Sequence, residues 1–243
     1  TGYDLSLDEI KNFRQWGSKT PGHPEFGLTP GVETTTGPLG QGFSTGVGMA
    51  IAALKLAGTI NTDENPLFDH TIYGIVSDGD LMEGVSHEAA SIAGHQKLGN
   101  LIYLYDDNNI TIDGSTELAF TEDVPARFRA YGWHTIVIDG HDRQAVRIAI
   151  KEAQSVTDKP TLISCKTTIG FGSPNKQGTS GVHGAPLGPD EVSLTKKAYN
   201  LPDEAFHIDE EVLGFFRKAK DKGLELESGW NHKLEQLKEA SPD

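Results

Sequence analysis

Apolar positions along the chain fall into short runs cut by acidic or glycine-rich turns, and this spacing predicts alternating strands and helices. The clearest unit runs from Thr71 to Gly114. Ile72, Ile75 and Val76 form an apolar run that stops at Ser77, as a buried strand of a parallel sheet does. Asp78-Gly79-Asp80 then breaks it. Glu83 to Gln96 carries Val85, Ala89, Ile92 and Ala93 at helical spacing, with acidic residues in the opening turn that suit the positive end of a helix dipole. A second run, Leu101 to Tyr105, ends at Asp106-Asp107-Asn108-Asn109. In a βαβ unit both acidic turns leave the carboxyl edge of one sheet, where such sheets bind ligands.

The flanking pattern extends this unit. Ser6 to Trp16 opens with a Ser-x-x-Glu capping box (Ser6, Glu9) and reads as a short amphipathic helix. A Gly-, Pro- and Thr-rich loop carrying His23 follows. Gly37-Pro38 then starts a helix with one unusually small side, formed by Gly40, Gly42, Gly46, Gly48 and Ala50. Small sides of this kind pack closely against a backbone, a cofactor or a second subunit. Downstream, Asp123 to Tyr131 reads as helix, His134 to Ile138 as strand, Arg143 to Val156 as helix and Thr161 to Lys166 as strand. Thr167 to Pro189 is a second long loop and contains His183; beyond it the chain becomes charged and helical. The alternation predicts an α/β fold, a doubly wound, mostly parallel sheet with helices on both faces, in a single domain over residues 1–243.

Composition narrows the function classes. The formal net charge is −14 with no basic cluster, which disfavours nucleic acid and anionic membrane surfaces as partners. No run approaches transmembrane length by eye. The one cysteine, Cys165, allows no internal disulfide and fits a reducing, cytoplasmic setting.

The two turns offer specific chemistry. Asp78 supplies a hard carboxylate oxygen, Gly79 lets a ligand approach the backbone, and Asn108 supplies a neutral amide oxygen from the neighbouring strand end. Mg2+ takes six oxygens, and a site with one carboxylate and one amide leaves positions for phosphate and water. A helix starting near Gly79 would aim unpaired N–H groups at the same spot. Taken alone, Asp-Gly and Asp-Asn turns are more often plain punctuation, and loop histidines such as His23 and His183 are ordinarily solvated.

A longer series of words changes that balance. An Asp-Gly followed about thirty positions later by Asn resembles the thiamine-diphosphate fingerprint. The stretches TPGHPEF, ETTTGPLGQGFSTGVGMAIA, DGDLMEGVSHEAASIAG, YDDNNITIDG, YGWH, IDGHD, DKPTLISCKTTIGFGSPNK and HGAPLG, running to about Gly188, resemble the transketolase family. The resemblance implies the thiamine-diphosphate-binding fold and transfer of a two-carbon ketol unit from a ketose phosphate to an aldose phosphate. It further implies that Asp78, Asn108 and the backbone carbonyl of Ile110 hold Mg2+, or Ca2+ or Mn2+ in its place. Gly79 would approach the diphosphate, Gly37 and Leu39 would lie near the thiamine, and His183 would touch both diphosphate and substrate. His23 would serve the substrate and Glu83 would complete the catalytic set near a homodimer interface.

Departures from the pattern are equally specific. Ser77 stands where the family's first Gly is usual, and Ser180 and Gly181 stand where a histidine often precedes His-Gly. The pyrimidine-binding and C-terminal domains of the family have no counterpart in these residues, so the chain is expected to supply half of a site and to be inactive alone. A cleaved or truncated piece and a separate subunit are both compatible with this. A non-catalytic module binding a diphosphate or a protein partner remains open, as do dihydroxyacetone synthase and a split transketolase subunit.

Overall fold

The computed structural model describes residues 2–240. In chain order the elements are α1 (Leu7–Lys11), α2 (Gln41–Ile60), β1 (Ile72–Ser77), α3 (Asp78–Met82), α4 (Gly84–His95), β2 (Leu101–Asp107), β3 (Ile110–Thr111) and β4 (Gly114–Ser115). They continue with α5 (Val124–Ala130), β5 (His134–Asp139), α6 (Arg143–Ser155), β6 (Thr161–Lys166), α7 (Pro189–Ala198) and α8 (Glu210–Ala240). The chain divides into two compact units. One comprises Leu39–Leu54 and His70–Ala205; the other is built from the segment up to Pro38, Lys55–Asp69 and the segment from Phe206.

The first unit is organised on a four-stranded parallel sheet of order β1-β2-β6-β5, with β3 and β4 forming a small antiparallel hairpin. Side-chain alternation along β2 sorts the core into two layers. Leu101, Tyr103 and Tyr105 join Leu162 and the buried faces of α2, α4 and α5 on one side, while Ile102 joins Ile163, Cys165, Ala149 and Ala153 on the other. Helices therefore cover both faces, as the alternating pattern predicts. Phe43, Tyr103, Phe128 and Trp133 form the aromatic centre of the larger layer, with Phe43 stacked on Tyr103 at 4.5 Å and Phe128 edge-on to Trp133 at 5.0 Å. Their polar atoms are satisfied: Tyr103 Oη donates to the Phe43 carbonyl at 2.6 Å and Trp133 Nε1 to the Ala90 carbonyl at 2.8 Å. Burial and the charges of Asp106 and Asp107 push the Cys165 thiol up to about 11, leaving it an inert core residue at neutral pH.

Three expectations are corrected by the structure. Ile75 is not buried; it is 80% exposed, because β1 lies at the end of the described sheet and only its Ile72, Gly74 and Val76 face is covered. The second helix begins at Gln41, not at Gly37-Pro38, since Gly40 has φ of +76° and no α-helix passes through that conformation. Finally, α2 is by length and composition apolar enough to span a bilayer. Its Phe43, Gly46, Val47, Ala50 and Ala53 are nevertheless buried at helical spacing, the signature of a core-facing stripe.

In the second unit, Ser6 Oγ caps α1 by accepting from Glu9 N at 3.3 Å, but the Glu9 carboxylate turns away to accept from Lys19 N at 3.2 Å, so the reciprocal half of the box is replaced. Leu7, Ile10 and Phe13 of this amphipathic turn stay exposed. Asn61 Oδ1 accepts from both Leu67 N and Phe68 N at 2.9 Å, and Trp230 of α8 donates to the Leu67 carbonyl at 3.1 Å.

The small side of α2 has a concrete cause in the first unit. A methyl added at Gly46 would lie 2.0 Å from Tyr103 Oη, so the helix approaches the ring as closely as it does only because this position has no side chain. We expect Gly46→Ala to destabilise by about 1–3 kcal/mol through overpacking. Tyr103→Phe should cost about 0.5–1.5 kcal/mol for the lost hydrogen bond. The double variant should be more stable than the sum predicts, because removing the hydroxyl makes room for the methyl. Urea unfolding of the four proteins reads this directly, and strict additivity would contradict it.

Candidate cofactor and metal site

The parallel register places Ser77 at the end of β1 beside Asp106 of β2, so the two acidic segments leave the sheet side by side. Asp78 follows immediately and is 3% exposed. Its Oδ1 accepts a hydrogen bond from the Tyr105 hydroxyl, whereas Oδ2 is buried without a hydrogen-bond partner. Burial raises the carboxyl pKa above the aspartate range, and the charges of Asp107 and Asp106 add to the rise. The Tyr105 hydroxyl and the Asn109 main-chain amide pull the other way without cancelling it. The same arrangement pushes the Tyr105 phenol upward, first by burial and then by the Asp78 hydrogen bond. A cleft of about 570 Å³ lies against these groups, lined by Asp78, Tyr105, Asp107 and Asn109 with Arg129 and Lys166 among its other walls.

Neighbouring carboxylates have more donors than Asp78 does. Asp107 Oδ2 accepts from Ser164 Oγ at 2.9 Å and pairs with Lys166 Nζ, while Asp106 accepts from Thr167 Oγ1. Asp80 is drawn inward as a clasp: Oδ2 accepts from Ser77 N at 3.0 Å and Ser77 Oγ at 2.9 Å, and Oδ1 accepts from Gly40 N at 3.0 Å. The Ser77 hydroxyl, which a glycine would lack, thus supplies one of the three donors of that clasp.

A helix does start at the acidic turn, as expected near Gly79, but it is short and breaks before the next one, which the sequence reading did not anticipate. Residues Asp78–Met82 form the short helix α3, and a separate α4 starts at Gly84, with Glu83 between them in an extended conformation of ψ 136°. The break is stabilised from outside, since Ser86 Oγ donates to the Asp80 carbonyl at 2.6 Å. Asn109 takes a left-handed φ of 60°, a conformation Asn tolerates better than most residues, and reverses the chain into the hairpin. Asn108 folds over this turn, its Oδ1 accepting from Ile110 N at 3.0 Å and its Nδ2 donating to Asp106 Oδ2 at 3.2 Å.

The expected site residues fall into groups. Asp78 lines the cleft, with Asn108 and Ile110 in the adjoining turn and Gly79 one step along α3. Leu39 covers Gly79, for a methyl built there would lie 3.2 Å from Leu39 Cδ1. Glu83 is exposed at the start of α4, and its Cβ packs against Gly40. In the second unit His23 is exposed and leans over Gly37, whose added methyl would meet its Cγ at 2.8 Å. His183 is exposed at the end of a 3-10 turn, Ser180–Val182.

The loop bearing His183 has anchors that pattern reading passed over. Glu191 of α7 is buried and accepts from Ser173 Oγ, from Asn175 N at 2.8 Å and from Asn175 Nδ2 at 2.9 Å. The Ser173 hydroxyl foremost, then Asn175, hold its pKa below the usual carboxylate range. His141 Nε2 accepts from Thr168 N at 2.9 Å, and its ring stacks on Phe171 at 4.0 Å. Glu191 sits in a charged helix and His141 in a helix-entry turn, so neither carries a periodic signal. Tyr105 and Asp107 were visible only as the ragged end of an apolar run.

A metal is compatible with these groups on one physical ground: the buried Asp78 Oδ2 lacks any protein partner, and a cation is the partner such an oxygen accepts best. Among the described residues no group of three or more His, Cys, Asp or Glu is arranged to hold a metal, so the remaining ligands must be neutral oxygens, phosphate or water.

Residues 1–243 match the family described as "Transketolase, thiamine diphosphate binding domain". The chain belongs to the transketolase family. It is 58% identical over its full length to the transketolase of Halalkalibacterium halodurans and 55% identical over its full length to transketolase 2 of Escherichia coli. It spans 37% and 36% of those two proteins. Among solved structures, transketolase of Pichia stipitis in complex with sedoheptulose 7-phosphate matches at 49% identity and a TM-score of 0.95, covering 99% of this chain and 36% of that one. Transketolase from Leishmania mexicana matches at 45% identity and a TM-score of 0.95, with the same two coverages. The α/β fold and the thiamine-diphosphate-binding character of this transketolase domain follow from these matches.

Two expected outcomes arise from the carboxylates. Because the folded chain raises the pKa of Asp78, it binds that proton more readily than the unfolded chain, and stability falls as pH rises through the ordinary aspartate value toward the folded one. In the ligand-free protein Asp78→Asn should therefore raise the melting temperature at neutral pH, by about 2–4 °C per kcal/mol recovered, with the gain vanishing in acid. Thermal melts across that pH range check it. Glu191 behaves oppositely: its contribution is present above the ordinary carboxylate range and is lost as pH falls through its lowered folded value. Amide exchange of residues 167–188 should be faster in Glu191→Gln than in wild type at neutral pH, and equal to it in strong acid.

Proposed function

We propose that this chain supplies the diphosphate- and metal-binding half of a transketolase site, acting in transfer of a two-carbon ketol unit from a ketose phosphate to an aldose phosphate. The observation that carries the reading is the buried, unpartnered Asp78 Oδ2 at the carboxyl edge of the sheet, in a chain matched over its whole length to a thiamine-diphosphate-binding domain. Asp78, Asn108 and the Ile110 carbonyl would hold Mg2+, or Ca2+ or Mn2+, and Gly79 and Leu39 would receive the diphosphate and the ring beside it. By the family resemblance, Gly37 would lie near the thiamine. When bound, thiamine diphosphate supplies the carbon nucleophile that neither this chain nor any protein side chain can provide.

The remaining roles belong to side chains. His23 and His183 are exposed imidazoles on the two long loops and would orient sugar hydroxyls and hold or pass a proton at the substrate oxygens. His183 would also meet the diphosphate. Glu83, exposed beside Gly40, would complete the site at a homodimer contact. Sugar phosphates are the substrate class, consistent with the sedoheptulose 7-phosphate in the Pichia stipitis structure. We place the protein in the cytoplasm, and we expect the chain alone to be inactive, because the groups that activate a bound aminopyrimidine are not among those assembled here.

Calorimetry tests the core of this reading. Thiamine diphosphate should bind wild type measurably only with Mg2+, and Asp78→Ala should abolish the metal dependence. Binding of equal strength with and without metal, in both proteins, would contradict it. Ketol transfer should be undetectable with the chain alone and should appear on addition of the complementary domains of a transketolase.

A further inference from the structure

The helix that carries Asp78 is only five residues long, and a helix that short does not hold its own shape. Isolated helices below about 12–15 residues are marginal in water. Each helix also leaves its last four carbonyls without intrahelical partners. In α3 two of these are met from outside the helix. Ser86 Oγ takes the Asp80 carbonyl, and Arg127 Nη2 of α5 donates to the Leu81 carbonyl at 3.0 Å. The second contact also places a cation at the negative end of the helix.

The guanidinium is set by its own surroundings. Its Nη1 pairs with Glu122 and faces His87 Nε2 at 3.0 Å, and its plane lies near the Phe120 and Phe128 rings, 5.7 and 5.6 Å from their centroids. Arginine has donors only, so His87 Nε2 must accept. The ring proton then sits on Nδ1, which faces Tyr131 Oη at 3.1 Å. Donation therefore runs outward from Arg127, to the Leu81 carbonyl of α3 on one side and through His87 to the Tyr131 hydroxyl oxygen on the other.

We infer that Arg127, fixed by His87, is a positioning residue that sets the Asp78 carboxylate for the metal. The inference rests on the reading that Asp78 binds that metal. Arg127→Met keeps an unbranched apolar side chain at this position but removes the fork. It should weaken Mg2+-dependent binding of thiamine diphosphate about tenfold or more, as loss of a ligand's supporting partner does. It should also speed amide exchange in the peptide covering Gly79–Met82. Ile163→Val, in the other core layer, lowers stability without touching this chain of bonds and should leave the affinity unchanged. His87→Gln retains a side-chain oxygen that accepts and should bind nearly as wild type, whereas His87→Leu should fall with Arg127→Met.

The outcomes separate cleanly. Wild-type binding that is lost in Asp78→Ala but intact in Arg127→Met, with unchanged exchange, overturns the inference alone. A wild type that binds no Mg2+-diphosphate removes the underlying reading and the inference together. Should Arg127→Met fail to fold, the two His87 variants decide, and equal affinities in them overturn the role assigned here.

Discussion

A buried carboxylate with one unpaired oxygen is the constraint around which the sheet edge is built. Removing a charge from water is costly unless it is paired, and protein folds normally avoid leaving one half-satisfied. Here the Tyr105 hydroxyl donates to Asp78 Oδ1, the Asn109 amide lies close enough to favour the charge, and Oδ2 is left without a hydrogen-bond partner. Nearby Asp106, Asp107 and Asp80 raise no such problem, because each is closed by hydroxyl, amide or ammonium donors. The contrast is what supports the proposal that Asp78 binds a ligand. Stability is given up at this point, and under the proposed function a bound cation would restore it.

Keeping that carboxylate in place requires rigid support, and the packing supplies it in layers. The aromatic cluster of Phe43, Tyr103, Phe128 and Trp133 fixes α2, β2 and α5 against one another. From this base Asp80 reaches the Gly40 amide at the head of α2, and Arg127 reaches the end of α3 from α5. The short helix is thus held at both ends by elements whose positions depend on the core. Site geometry and core packing are one mechanical problem.

How much of this could be read from residues alone follows from the kind of signal each part leaves. The strands β2, β5 and β6 and the helices α5 and α6 announce themselves by apolar periodicity and by Asp caps such as Asp123 and Asp142. The break between α3 and α4 leaves no such mark. No proline interrupts it, and the agent that stabilises it, the Ser86 hydroxyl on the Asp80 carbonyl, is a tertiary consequence of the break. Ile75 looked buried because an apolar run does not report which strand lies at an edge. Glu191 was hidden for the reverse reason: in a charged helix a buried carboxylate is spelled like an exposed one. The resemblance names Asp78 and Asn108, but the donor that makes the Asp78 environment unusual, Tyr105, carries no signal of its own.

The two loop histidines and the buried aspartate stand in different energetic relations to the fold, which determines how each can vary. His183 is exposed on a loop whose order comes from elsewhere, from Glu191 on Ser173 and Asn175 and from His141 on Thr168. Substituting such an imidazole leaves the anchors intact, so the role proposed for it is separable from stability. Asp78 cannot be separated in this way, since its carboxylate is at once the proposed ligand-binding group and the desolvated charge that weakens the fold. A change that relieves the second abolishes the first. Residues such as Arg127 and Tyr105 lie between these cases, because they touch no ligand yet determine where the charge is held.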